Sequence, residues 1–597
     1  MACPRWTLLS LALCACSPAS LHDAVTHDAA EESTRLDSEI PADVQLDAAV
    51  LPLAFGPLVP WRLREAREST VRIETLGGTG PVRVFAERLP PGAQWDEVTQ
   101  TLRFTPDFTQ GGESWVVLFT ARTATESVTQ TLAVSVEDTI HPPDPTVARR
   151  ETGAGFERLF VRQITDDYLD SPGLAGRSFD AVVTVPTAAS ATRKMPVRVA
   201  LHGLGTANPG TTASSSEYRI YPHDPSNTYW WGYADSRPAS PSAGAQVPAY
   251  TARRVLHLLD WVQRTYAGAD ADRTYITGSS MGGAGAATMG LLHARHFCFV
   301  DASLFQAIPK NHRPARVTTL TAHWGAPSAA LTDESGMAVW DRMDLTRVIS
   351  SSAEARGQYL EVHHSKDDDT VHFGAVVFAS ALTGVTLYQA LQRAHVGYLA
   401  SWDEGSHGPS DPVLGSDWWS AAFNPITDAT TRVHRAAPFV AFSRCSADRD
   451  AGDGSGNGRR AYSSATGFAG VRDIPGDTGW SGDIAGTHNR LLRWDSTRVT
   501  DTLDELTLFV HAVDGAGQGP PRAGYPTRGD RFDGVLPVRA DVTPRRVQRF
   551  YVRPGERIRW VYGDASGVLS AGEDGAVTVP AMRVGTVWTA LTLRREE

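Results

Sequence analysis

Cysteine is scarce in this chain of 597 residues: there are five, and Cys3, Cys14 and Cys16 fall within the first sixteen positions. Only Cys298 and Cys445 remain for the body of the protein, which excludes a disulfide-built scaffold and any multi-cysteine zinc motif. In an oxidising compartment these two could bridge the middle of the chain to its C-terminal part; Cys298, set in Phe297-Cys-Phe-Val300, reads equally as a buried apolar residue. Long apolar runs are missing too. Beyond the first fifteen residues no segment is apolar and long enough to cross a bilayer as a helix. Excess positive charge is absent: the formal net charge is −11, which speaks against nucleic acid as a partner. Residues 21–50 are rich in Ala, Asp and Glu and hold no aromatic residue, so they cannot bury a core and read as an acidic tether.

What is present divides the chain. Arg5 precedes an apolar run from Trp6 to Leu13, the pattern of an export signal over residues 1–20. Within it, Leu13-Cys14-Ala15-Cys16 resembles a bacterial lipoprotein cleavage box with Cys16 lipidated, which implies attachment to a membrane through lipid; a cut near Ala19 with release is the alternative. Residues 51–140 carry short alternating runs, among them Val82-Arg-Val-Phe85, Leu102-Arg-Phe104 and Trp115 to Phe119, separated by Gly, Pro and Asp. That alternation predicts an antiparallel β-sandwich, similar to immunoglobulin-like or cadherin-like modules. A proline-rich linker is expected over 141–150, a mixed α and β domain over 151–425, and a β-rich region over 426–597. In that last region Leu506–Val513, Val547–Val552, Ile558–Tyr562 and Val577–Val579 read as strands. The acidic loop Asp448 to Asn457 offers hard oxygens at short spacing, but its order breaks the calcium-hand pattern, and no metal site is assigned.

The most informative stretch is Tyr275-Ile-Thr-Gly-Ser-Ser-Met-Gly-Gly283. An apolar strand runs into Gly278-Ser-Ser280-Met-Gly282 and then into the small-residue segment Gly283 to Ala287. A serine nucleophile needs a sharp strand-to-helix turn, with small neighbours so that its Oγ stands clear of the sheet. Ser280 is the candidate. It needs a base to take its proton and an acid to orient that base.

Tyr359 to Ser365 reads as a buried strand ending in the acidic loop Lys366-Asp-Asp-Asp-Thr-Val371, and Asp368 is preferred there over Asp367 and Asp369. His407 follows in the small-residue loop Gly405-Ser-His-Gly408, just after the apolar run Val396 to Trp402. The order Ser, Asp, His leaves room for helix-and-strand units between the members. His363, His364 and His372 flank the acid loop and are read as structural. For the oxyanion, the strand Pro196 to Leu201 ends in His202-Gly203-Leu204-Gly205, so Leu204 and Met281 are the expected amide donors.

Together these motifs make residues from about 150 to 425 resemble exported α/β-hydrolases of the esterase type. The patterns are those of polyhydroxybutyrate depolymerases, feruloyl and acetylxylan esterases, and the catalytic domains of prolyl-oligopeptidase-type peptidases. The resemblance implies a doubly wound, mostly parallel sheet, ester hydrolysis through an acyl-enzyme, and no cofactor. The nucleophile box departs from the depolymerases, having Ser-Met where Ser-Ala is usual, so the substrate class does not carry over.

Thr206 to Val247 is long and contains Tyr229, Trp230 and Trp231, which with His202 are expected to border the substrate pocket and suit polymeric, phenolic or sugar esters; a loop pinned by its own aromatic cluster is the alternative. A second insertion, His323 to Val348, carries Trp324 and Trp340 and sits where such hydrolases hold a cap. The pair Trp418-Trp419 is expected on the back of the domain. Two other functions stay open: a serine peptidase, whose relatives carry a propeller for which residues 51–150 are too few, and a non-catalytic polymer-binding or adhesion lipoprotein. The oligomeric state is open as well.

Overall fold

Apolar runs separated by helix-period segments build a ten-stranded sheet at the centre of the chain. The computed structural model describes residues 51–596 except 367, 369, 404–406, 408–432, 456–479, 483–485 and 514–535. The expected signal, the Cys16 lipidation site, the acidic tether and Trp418-Trp419 lie outside the described residues.

The strands are β1 (Thr146–Gly153), β2 (Phe156–Ile164), β3 (Ser178–Pro186), β4 (Met195–Leu201), β5 (Tyr218–Tyr221), β6 (Ala269–Ser279), β7 (Phe299–Ser303), β8 (Tyr359–Ser365), β9 (Gly397–Asp403) and β10 (Gly486–His488). Their spatial order is β1-β2-β3-β5-β4-β6-β7-β8-β9-β10. Pairing is parallel from β5 through β4, β6, β7 and β8 to β9, and antiparallel outside that block. Parallel neighbours need crossovers, and these hold the helices α1 (Tyr250–Thr265), α2 (Met281–Leu292) and α3 (Pro314–Trp324). On α1, Val255, Leu258, Leu259 and Val262 form the buried stripe that their spacing predicts.

Three sequence boundaries shift. The linker expected over 141–150 gives way at Thr146 to β1, because the Pro-rich part ends there and Val147 and Val161 pair across the β1–β2 hairpin. The long loop from Thr206 contains β5, inserted between β3 and β4. Past the expected end at 425, Gly486–His488 returns to the sheet as its edge strand beside β9, with Gly486 packed so tightly on Trp402 that a Cβ would lie 2.3 Å from the indole.

Residues 51–140 form a four-stranded sheet (Trp61–Arg64, Arg83–Glu87, Ser114–Arg122, Ser127–Glu137) and a three-stranded sheet (Ser69–Arg72, Gln94–Asp96, Thr101–Phe104), plus the short pair Ala54–Phe55 and Thr75–Leu76. Leu63, Val84, Leu102, Phe104, Phe119 and Val134 fill their common core. The expected antiparallel pairing is broken once: Trp61–Arg64 runs parallel to Ser127–Glu137.

The C-terminal region forms a five-stranded antiparallel sheet and a three-stranded one around Trp494, Leu508 and Val542. Val547–Val552 is not a strand. Asp501 takes the amides of Gln548 and Phe550 at 2.7 and 2.8 Å, so the segment's donors are satisfied by a side chain instead of a ladder. Cys298 and Cys445 belong to the same apolar core as free, buried thiols, the second of the two readings of the sequence, and no bridge joins them. Burial pushes both thiols up to about 12, so neither carries thiolate at neutral pH.

Candidate active site

β6 delivers Ser280 to the C-terminal edge of the parallel block, directly before α2. The turn is as sharp as the sequence requires: Ser280 has φ 59° and ψ −124°, a conformation that costs an L-residue on the order of 1–3 kcal/mol. Its neighbours have no room for a side chain. A Cβ on Gly278 would lie 2.2 Å from the Gly282 carbonyl, and one on Gly282 would lie 2.2 Å from the Leu201 carbonyl. The Ser280 amide donates to the Ser303 carbonyl of β7 at 2.9 Å, fixing the turn to the sheet.

From Ser280 a line of hydrogen bonds leads inward. The Ser280 Oγ lies 2.9 Å from His407 Nε2, and His407 Nδ1 lies 2.7 Å from Asp368 Oδ2. The Asp368 side chain is wholly buried, while His407 remains partly exposed. Asp368 is held by its other oxygen, where Oδ1 accepts the amides of Thr370 and Val371, both at 2.8 Å. Burial raises the Asp368 carboxyl above its ordinary range, and His407 and the two amides oppose that rise. Asp367 and Asp369, the other acids weighed from sequence, lie outside the described residues.

The loop after β4 borders the nucleophile. A Cβ on Gly203 would stand 3.9 Å from the Ser280 Cβ, so the two backbones are in close approach. Several side chains hold this loop. His202 Nε2 accepts the Asp224 amide at 2.9 Å, which puts the ring proton on Nδ1, where it donates to the Gly203 carbonyl at 2.8 Å. Burial pushes the His202 pKa down, favouring this neutral form. Thr206 Oγ1 also donates to the Gly203 carbonyl at 3.0 Å, and Asn227 accepts the Gly205 amide at 2.9 Å. Leu204 sits half-buried in this turn. Met281 is the first residue of α2, so its amide lacks a partner within the helix and faces the positive end of the helix dipole.

Of the two readings of the aromatic cluster, its burial fits the loop pinned by its own aromatics and not the pocket border. Tyr229, Trp230 and Trp231 are buried at 6, 1 and 6 % exposure and belong to the domain core, so they offer no open platform for a substrate. Trp230 packs on α2 where Gly285 leaves space; a Cβ there would lie 2.4 Å from its indole. Its Nε1 donates to the His202 carbonyl at 3.2 Å, making it a support for the loop beside Ser280. Trp231 Nε1 donates to the Val247 carbonyl at 3.1 Å. His202 is half-buried and braces the same network through its two ring nitrogens.

The second insertion packs on the first. Trp324 and Trp340 meet edge to face at 5.3 Å, and Trp324 Nε1 donates to the Gly232 carbonyl at 3.0 Å. Sequence reasoning passed over His312, which is buried, accepts the Arg313 amide on Nδ1 at 2.9 Å and has Nε2 3.4 Å from the Tyr229 hydroxyl. Burial pushes its pKa well down, helped by His372, Arg313, Arg316 and His407. No motif marks it. His363 and His364 are buried and bonded, Nδ1 of the first to Ser401 at 2.9 Å and Nε2 of the second to the Phe305 carbonyl at 2.8 Å. In the acidic loop from Asp448, where no metal site is assigned, Asp448 is half-buried and its Oδ1 accepts the Asn489 amide at 2.6 Å.

No protein-family model matches the chain, and no curated protein matches it. Solved structures do. An S-formylglutathione hydrolase from Agrobacterium tumefaciens is similar at 16% identity over 44% of this chain and 92% of its own, with TM-score 0.31. A ferulic acid esterase is similar at 18% identity over 43% and 92%, with TM-score 0.29. A glucuronoyl esterase from Solibacter usitatus is similar at 17% identity over 43% and 74%, with TM-score 0.28. At such identities and scores the chemistry has to be argued from the site itself, and there a buried carboxylate, an imidazole and a hydroxyl on a strained strand-to-helix turn stand in one hydrogen-bonded line.

Proposed function

We propose that this chain is an exported serine hydrolase that cleaves carboxylic esters through an acyl-enzyme. The observation that carries the reading is the unbroken line from Asp368 through His407 to Ser280, with Ser280 at the head of α2. His407 Nε2 takes the proton of Ser280 Oγ as that oxygen attacks the ester carbonyl. The Met281 amide, with the Leu204 amide from the braced loop, receives the oxyanion. The tetrahedral species collapses, the alcohol leaves with the proton from His407, and a water deprotonated by the same nitrogen releases the acid. Asp368 holds the ring and stabilises its charged form throughout.

Export and lipid attachment rest on Arg5, the apolar run to Leu13 and Cys16. Substrates are esters of small acids or alcohols, with polymeric, phenolic and sugar esters as the classes to compare. No cofactor is required by these steps. The test is turnover of short-chain p-nitrophenyl esters and labelling by a fluorophosphonate probe, beside a Ser280→Ala control and aminoacyl p-nitroanilides. Ester turnover and labelling that both vanish in the variant support the reading. Preference for the anilides replaces it with a peptidase, and absence of both in folded protein overturns it in favour of a binding lipoprotein.

A further inference from the structure

At the end of the sheet away from Ser280, residues of the N-terminal sandwich, the central domain and the C-terminal sheets line an open cavity of about 510 Å³. Asp272, close to this cavity, and Ser280 lie toward opposite ends of β6, up to about 26 Å apart at strand rise, so the cavity is separate from the serine site.

Five arginines, Arg295, Arg356, Arg435, Arg545 and Arg546, are among the residues that line it, against two acidic residues, Glu354 and Asp574. The carboxylates are spoken for unevenly. Asp574 is shared by Arg356 at 3.3 Å and Arg545 at 3.5 Å, while Arg295 is paired at 2.7 Å with Asp107, which also takes His296. Arg435 and Arg546 have no carboxylate within ion-pair distance among the described residues. Arg435 donates to the Arg295 carbonyl at 3.0 Å. Arg546 donates to the carbonyls of Gly357 at 2.7 Å, His434 at 3.0 Å and Phe297 at 3.4 Å, and to the side chain of Gln358. Asp272, whose charge both arginines feel, is occupied by His434 at 3.2 Å and the Ala436 amide at 2.7 Å.

Carbonyl contacts fix a guanidinium in place without neutralising it, and withdrawing an unneutralised cation from water is costly. Burial accordingly pushes Arg546 down to about 10, and Arg435 is lowered for the same reason. The wall also holds apolar Leu89 of the sandwich and Val547 and Phe550 of the C-terminal region, with Gln94, Gln548 and Tyr551 as polar members. A ligand suited to this lining has a carboxylate, sulfate or phosphate group and a compact apolar flank.

We propose that this junction cavity binds a small organic oxyanion, its charged group between Arg435 and Arg546 and its body against Leu89 and Phe550, so that binding ties the three parts of the chain together.

The test is isothermal calorimetry on the full chain with inorganic sulfate, inorganic phosphate, glucuronate and citrate at matched ionic strength, with chloride as the reference. Saturable binding of at least one, weakened about tenfold or more in Arg435→Gln and unaltered in the distant Arg64→Gln, is the expected result. Preference for glucuronate or citrate assigns a carboxylate ligand, and preference for the inorganic ions assigns a sulfate or phosphate ester. Because Arg435→Gln could perturb folding, Ala93→Trp serves as a second variant that fills the mouth and leaves the arginines intact; it too should abolish binding. No saturable binding by the wild type, or binding unchanged in both variants, overturns the proposal. Ester turnover should be the same in Arg435→Gln as in wild type, so this proposal and the hydrolase reading stand or fall separately.

Discussion

Trp230 donates its indole N–H to the carbonyl of His202 across 3.2 Å, and so links a residue at the back of α2 to the loop that faces Ser280. Trp230→Phe keeps most of the buried ring and removes only this bond. The expected outcome is a fall in kcat of about tenfold with KM little changed, because the loop amide loses its aim in the transition state. Steady-state kinetics on one short-chain ester checks it, and an unchanged kcat would show that the loop is held by Asp224 and Thr206 alone.

Ser280→Ala should reduce turnover by about 10⁵-fold or more while leaving the melting temperature within a few degrees. The strained φ of 59° is kept by either residue, so removing the hydroxyl changes chemistry and not the fold. Burst kinetics and a thermal melt on the same preparation separate the two effects.

Asp368→Asn should lower kcat by about 10⁴-fold, because an amide in place of the carboxylate favours the wrong tautomer of His407. Asn can still accept the amides of Thr370 and Val371 through one oxygen, so the melting temperature should fall less than in Asp368→Ala, where both amides lose their partner. Equal melting temperatures for the two variants would contradict the acceptor role of Oδ1.

Two opposing contributions should shape the pH dependence of stability. Burial pushes His257 and His488 down to about 4, below their unfolded values, so the unfolded chain binds more protons between about pH 4 and 6.5 and stability falls as pH falls through that window. Burial pushes the Asp448 carboxyl up to about 8, above its unfolded value, so the folded chain binds the extra proton between about pH 4 and 8 and stability falls as pH rises there. Asp448→Asn should remove the loss of stability with rising pH between about pH 4 and 8, gaining a few kcal/mol at pH 8. Urea titrations at pH 5 to 8 measure it, and a pH dependence identical to wild type over that range would reject the assignment.

Cys298 and Cys445 should be unreactive toward a thiol reagent in the native protein and both reactive once it is unfolded, since each is buried and held as the thiol. Mass spectrometry of unreduced protein with the two thiols alkylated after unfolding checks this. A cross-linked peptide containing both residues would refute it.

The sequence alone determined the nucleophile turn and the chain order of the three candidates, because both are local. Gly278 and Gly282 announce a turn in which no side chain fits, and apolar runs before Ser280, Asp368 and His407 announce strands whose ends must share one edge of a parallel sheet. The stripe on α1 was legible for the same reason, since helical spacing carries the burial pattern with it.

What depends on partners distant in the chain was decided only by the tertiary structure. An exposed aromatic platform and a buried brace have the same composition, and only the space left by Gly285 shows that Trp230 is the brace. The edge strand Gly486–His488 is too short for any periodic signal, and its place beside β9 follows from packing on Trp402. Two cysteines can share one apolar core without bonding, because burial alone satisfies a thiol. The arginine-lined cavity exists because three stretches of chain distant in sequence converge, and long-range convergence leaves no mark on the local pattern of residues.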